Sequence, residues 1–263
     1  MSDGDDLSWL RNMPTCRIAP LQKIDWRKEF YLKEVLDKLE SLQNARSIQV
    51  EGDGLSTLFM YLAMIAERTN EDGAKFNLVE EIYQHVNSNK KLTDSEIKEL
   101  DKGPFYVSLF CLDISSLIIF VRIFMDKLAR FLRLLIAMEG VKTNSFTSFK
   151  RSLKELKGKE IEAFVRVIEE NTIWFDELKD LRDNYVVHYP GSATALFFAD
   201  SKAYVTLTTS KRTKEPKSIL MNSEARNISI QEIDHFLTNL KMLLFNLNDF
   251  LTKNLDMLPL EDT

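Results

Sequence analysis

Leu181-Arg182-Asp183-Asn184-Tyr185-Val186-Val187-His188-Tyr189-Pro190 closes a run in which Trp174, Leu178, Leu181, Tyr185 and His188 recur at spacings of three and four. That is the period of one helix face. Pro190 and Gly191 then forbid the helix to continue. An arginine, two small polar residues, two β-branched residues and a histidine therefore occupy the last turns of a buried-looking helix. Arginine stays charged and offers a planar fork of donors suited to phosphate, and histidine moves a proton near neutral pH. Together they can cleave a phosphodiester without a metal.

Arg182 and His188 are six residues apart, so on an ideal helix their directions differ by roughly 120°. His188 projects near the Leu181–Trp174 stripe, and Arg182 lies about 100° round from Leu181. One straight helix does not bring both to one atom. Either the last turn unwinds before Pro190, or a second copy supplies the complementary side chain.

Arg182-Asp183-Asn184 followed by His188 resembles the arginine–polar–spacer–histidine signature of the HEPN superfamily (higher eukaryotes and prokaryotes nucleotide-binding). The signature allows about four to six intervening residues, and Asp183 to Val187 fill the gap. The resemblance covers roughly residues 105–255. It implies a helical bundle and a metal-independent endoribonuclease, often a toxin or host-defence effector, with no cofactor and a composite site across a homodimer. In those terms Arg182, Asp183 and His188 are the catalytic residues, with Asn184 and Tyr189 in support. His188 would act as general base or acid in attack of the 2′-hydroxyl on the adjacent phosphate. Arg182 would bind that phosphate, and Asp183 or Asn184 would position His188 or the ribose. The products would be a cyclic phosphate and a 5′-hydroxyl. The blander reading makes Arg182 a surface arginine and His188 a C-capping histidine at the negative end of the helix dipole. Against it, the i±3 and i±4 neighbours of Arg182 are Leu178, Lys179, Tyr185 and Val186, none of them a carboxylate.

Composition sets the frame. A chain of 263 residues with 44% hydrophobic content can bury a full core, and only eight glycines and six prolines favour long helices over many tight turns. Thirty-five basic against 40 acidic residues give a net charge of −5, so any nucleic-acid contact must be local. Cys16 and Cys111 are isolated, which fits a reduced cytoplasmic protein. Met1-Ser2-Asp3-Gly4-Asp5-Asp6 has neither the basic nor the apolar region of a signal peptide. Charges interrupt the most apolar stretch, Phe105 to Met138, before it reaches the roughly 20 residues of a membrane span, so no membrane partner is expected.

In chain order, 1–22 reads as a flexible arm that Trp9, Leu10 and Ile18 can pin to the body. Residues 23–102 read as N-terminal helices packed on a bundle. The first runs from Asp25 to about Ala45, a turn falls at Glu51-Gly52-Asp53-Gly54, and a second helix covers Leu55 to Arg68. After a break at Asn70–Gly73, a helix from about Ala74 to Val86 carries His85. A short helix then opens on the capping box Thr93–Glu96. Gly103-Pro104 marks the clearest boundary, and 103–255 reads as the HEPN-like bundle, with 256–263 a tail. Phe105 to Leu112 is read as an extended lead-in, followed by a long helix from an Asp113 N-cap to Met138. On it, Asp126 lies within i±4 of Arg122 and Arg130, an ion-pair ladder. His85 has no ligand-spaced partner, and no metal site is expected.

Lys142 to Glu160 is the most basic local stretch. Lys150, Arg151 and Lys154 are candidate RNA contacts, with Phe146 and Phe149 placed to stack a base; the alternative is a solvated charged face. The alternation of Ala195 to Thr209 reads as a β-hairpin, part of an insert at about 195–220, with Lys211 and Arg212 at a basic tip and a third strand near Ser218–Met221. Asn227-Ile228-Ser229 opens a last helix to about Leu255, with Ser229 as N-cap and Glu232 completing the box. The fold class is mainly α: a HEPN-type helical bundle with a small β-hairpin before the last long helix. The preferred function is RNA cleavage, with RNA, a second copy of the chain in a homodimer and a neutralising antitoxin as candidate partners. The alternative is a catalytically inactive helical module that binds a protein partner or a nucleotide. In the expected dimer the signature helices pack together, leaving Phe175, Lys179, Arg182 and Val186 near the interface.

Overall fold

The structure, a computed structural model, describes residues 17–40, 46–88, 90–136, 144–155, 159–187, 190–199, 202–209 and 225–254. It is mainly helical: α1 (Trp26–Glu29), α2 (Lys33–Glu40), α3 (Arg46–Asn87), α4 (Asp94–Leu100), α5 (Gly103–Ile136), α6 (Phe146–Leu153), α7 (Lys159–Asn171), α8 (Phe175–Leu181) and α9 (Ile230–Asn254). Between α8 and α9 lies an antiparallel sheet in the order β1 (Pro190–Ala199), β2 (Lys202–Thr209), β3 (Ala225–Ser229). Leu196 pairs with Val205 across the hairpin, and Val205 pairs in turn with Ile228.

The helices are longer than local signals suggest. α3 is one helix of 42 residues that runs straight through both expected breaks. Its glycines serve packing instead of turns. A Cβ on Gly52 would stand 2.2 Å from Leu36 Cδ2 of α2, and one on Gly73 would stand 3.1 Å from Ile18 Cγ2. Each glycine lets a neighbouring segment approach the helix backbone, and that contact offsets the helix cost of about 1 kcal/mol per glycine. The first expected helix is instead split into α1 and α2, with Phe30 and Leu32 buried where the chain bends.

α5 also starts earlier than expected. Residues 105–112 are helical, because Pro104 falls in the first turn, where a missing N–H costs nothing. Asp113 is therefore no N-cap. It is buried mid-helix and held by Arg68 of α3, whose Nε donates to its two oxygens at 3.0 and 2.8 Å. The fork holds the Arg68 guanidinium above its ordinary pKa, chiefly through this hydrogen bond.

α5 is the centre of the molecule. α3 runs antiparallel along one side, and α6, α8, α9 and β1 pack on others. One core cluster runs from Ile18 to Leu251 and takes in residues on either side of the Gly103-Pro104 boundary. Among the described residues α5 is the one helix long and apolar enough to cross a membrane, and half of its most apolar window is buried. The N-terminal segment is tied down from Ile18 onward. Ile18 N–H donates to Asn77 at 2.8 Å, Leu21 N–H to Asn70 at 2.7 Å and Gln22 N–H to Asp234 of α9 at 2.6 Å. The looseness expected to residue 22 is thus absent from 18–22, and Trp9 and Leu10 lie outside the described residues. So do Ser218–Met221; the third strand is Ala225–Ser229, where the last helix was expected to open. Ser229 still caps α9 as anticipated, accepting from Glu232 N–H at 3.1 Å while its own N–H donates to Glu232 at 2.6 Å.

Candidate active site

α8 is short, and its start is fixed from three directions. Trp174 Nε1 donates to Asn171 O at 2.7 Å and closes the α7–α8 junction. Phe175 is fully buried, edge-on to Phe146 at 4.9 Å, and the Arg122 guanidinium of α5 lies 4.8 Å over its ring. Arg122 is itself buried and pairs with Asp126 at 2.5 Å, and Asp126 also accepts the Phe146 N–H at 2.7 Å. The expected Arg122–Asp126 pair therefore also caps α6 and clamps the start of α8.

After Leu181 the helix widens. Arg182–Val187 form a π-helical turn, in which N–H groups reach back five residues instead of four. Val186 and Val187 favour extended backbone, and Pro190 ends any helix, so the coil opens before it gives way to β1. Such turns are rare and concentrate at functional sites. The backbone thus leaves regular α geometry before Pro190, although a wider turn does not by itself bring residues six apart to one face. His188 and Tyr189 themselves lie outside the described residues.

Arg182 Nη1 donates to Asp183 Oδ1 at 2.7 Å, and both side chains are 26% exposed. Lys179 Nζ stands 4.0 Å from the other Asp183 oxygen. The partner of the arginine is therefore the next residue in sequence, a contact the widened turn permits and one that spacing rules for a regular helix pass over. Arg182 Nε is buried with no acceptor among the described residues. Asn184 faces the other way, donating to Asp180 Oδ1 at 2.5 Å.

No match to this chain emerges among family models, curated proteins or solved structures.

Sequence reasoning missed Arg226. From β3 its Nη2 meets Glu177 at 2.5 Å and its Nη1 lies 3.9 Å from Asp180. The sheet is thereby fastened to the face of α8 that carries Glu177 and Asp180, and β1 and β2 also lie against the π turn. No local pattern marks this arginine, since Glu177 is 49 residues away in sequence.

The expected RNA-contact stretch is partly internal. Phe146 and Phe149 are fully buried, so neither is available to stack a base; both anchor α6 to the core. Lys150 is 17% exposed, donates to Thr172 O at 3.3 Å and stands 3.8 Å from Asp176, so it braces the α7–α8 junction. Arg151 is exposed, and Lys154 lies 3.5 Å from Glu169. Lys150 thus sits at the start of α8, about 9 Å along its axis from Arg182, and Lys154 beside α7. Lys211 and Arg212 lie outside the described residues. Phe175, expected near a dimer interface, is a core residue, and Val186 packs partly buried against the core. Among the described residues no cluster of three or more His, Cys, Asp or Glu is arranged to hold a metal.

Proposed function

We propose that this chain is a metal-independent endoribonuclease of HEPN type, acting as a toxin or defence effector. The observation that carries the reading is the Arg182–Asp183 pair in the π turn directly ahead of His188. Asp183 fixes one edge of a partly exposed guanidinium, which would meet a phosphate oxygen through its Nη donors. His188 takes the proton of the ribose 2′-hydroxyl, the oxygen attacks the adjacent phosphorus, and the 5′-oxygen leaves with a proton drawn from water, to which His188 afterwards returns its own. The products are a 2′,3′-cyclic phosphate and a 5′-hydroxyl. Arg182 offsets the charge that builds on the non-bridging oxygens.

The test is cleavage of RNA by the purified chain in EDTA. Substituting His188→Ala or Arg182→Ala lowers the rate by about 100- to 10,000-fold, the usual contribution of a general base or a charge-stabilising donor. The melting temperature stays close to that of the parent. Loss of activity that merely tracks loss of folded protein overturns the assignment. The alternative, a silent helical module, draws on Asn184, whose amide is already committed to Asp180. Absence of cleavage in EDTA and in Mg²⁺ alike selects it.

A further inference from the structure

The outward face of α5 is unusual for a helix at a protein surface. From Phe105 to Ile123, a length of about 27 Å, the only charged residues are Asp113 and Arg122, and both point inward and are buried. Phe105 and Leu112 are each more than half exposed, and Ile123 is 41% exposed. Beside them runs a groove of about 560 Å³ between α3 and α5, lined by Tyr61, Met64, Ile65, Arg68, Ser116 and Phe120 among others. The apolar side chains of this face leave on the order of 500 Å² uncovered, in the upper part of the range for the largest patch of a soluble monomer, a patch that is often functional.

The polar atoms on the stripe are already satisfied. Ser108 Oγ donates to Pro104 O at 2.9 Å, Ser115 Oγ to Cys111 O at 3.0 Å and Ser116 Oγ to Leu112 O at 2.8 Å. Covering them strands no donor. They are also small, so another backbone can come close.

We propose that this face binds a second copy of the chain through an antiparallel α5–α5 contact about a two-fold axis level with Ile114. In that register Leu112 faces Ser116 of the second copy, Leu109 faces Ile119, Ser108 faces Phe120 and Phe105 faces Ile123. Every large side chain meets a small one or an apolar one, and each pair occurs twice, as a two-fold interface requires. Two such faces, fully covered, bury about 1,000 Å², the lower threshold of a specific interface. A membrane fits less well. The α3 rim of the groove carries Glu67 and Glu71 with Arg68, and a chain of net charge −5 gains nothing from anionic headgroups. The contact does not depend on what the π-turn site does.

The full chain at micromolar concentration is weighed by light scattering and sedimentation. The expected mass is twice the 30.6 kDa of one chain. Leu112→Glu and Ile123→Glu each shift it to one chain while circular dichroism stays unchanged. Register is read by crosslinking in a Cys16→Ser background, where Cys111 stays silent because burial pushes its thiol up to about 11. Phe105→Cys chains crosslink to Ile123→Cys chains and not to one another. A monomeric parent, a dimer indifferent to both glutamates, or Phe105→Cys self-crosslinking overturns the proposal. So does binding of monomeric parent to phosphatidylcholine–phosphatidylglycerol vesicles, which assigns the face to a bilayer.

Discussion

Asn184 and Arg182 stand two residues apart in one π-helical turn, yet their side chains serve opposite faces: Arg182 is held by Asp183, and Asn184 by Asp180. This divides the three polar residues of the signature into two jobs. Under the proposed ribonuclease function, substituting Asp183→Ala frees the guanidinium and lowers the RNA-cleavage rate by about 10- to 100-fold, with a smaller change in KM. Substituting Asn184→Ala removes a link to α8 and lowers stability by about 0.5–1 kcal/mol. Rate and thermal melting measured on both variants check the division, and a larger rate loss at Asn184 than at Asp183 refutes it.

Arg226 ties β3 to α8 next to that turn. Its carboxylate partners are about half exposed, so the ion pairs themselves contribute little, about 0.5 kcal/mol. The larger consequence is positional. Substituting Arg226→Ala loosens the sheet against the turn, and hydrogen exchange of amides in 182–187 speeds up while α3 and α5 stay protected. Equal acceleration throughout the chain means that the residue is only a general stabiliser.

Asp113 is buried on α5 and depends on Arg68, a side chain half open to solvent. Substituting Arg68→Leu leaves a carboxylate inside the protein and costs about 2 kcal/mol, less than a fully buried pair because water reaches the arginine side. Adding Asp113→Leu recovers part of the loss, since an apolar pair tolerates burial. Denaturant melts of the two single variants and the double variant read the coupling, and strictly additive losses exclude it.

α4 is docked by a pH-sensitive contact. Backbone and side-chain hydrogen bonds from Thr93, and then His85 Nδ1 at 3.0 Å, hold the Glu96 carboxyl down at about 2. A carboxyl depressed on folding stabilises the protein above its ordinary range, near 4.5, and loses that contribution as the pH falls toward 2. Thermal melts between pH 6 and pH 2 therefore fall less steeply for Glu96→Gln than for the parent. Parallel curves remove Glu96 from the acid response.

Much of the helical order was legible in the sequence, because helix faces and caps are local devices. The stripe of Trp174, Leu178 and Leu181 is buried as its spacing implies, and the Thr93 and Ser229 capping boxes close within three residues. The hairpin alternation of β1 and β2 is equally local, and it too formed. Glycine misled at Gly52 and Gly73, because a missing Cβ permits a turn and permits close packing alike, and the sequence does not say which neighbour will arrive. In the same way Phe146 and Phe149 carry no local mark that separates a stacking surface from a core anchor.

The sequence alone determined which residue types stand together at 182–188 and that a helix must end before Pro190. Only the tertiary structure decided that the ending is a π turn, that Arg182 leans on Asp183 and that Arg226 braces the other face. It also decided that Asp113 turns inward to Arg68, leaving the face of α5 without charge. Helix periodicity and caps rest on contacts within four residues. These placements rest on partners 45 and 49 residues away, or on a departure from regular helix geometry that such packing sustains.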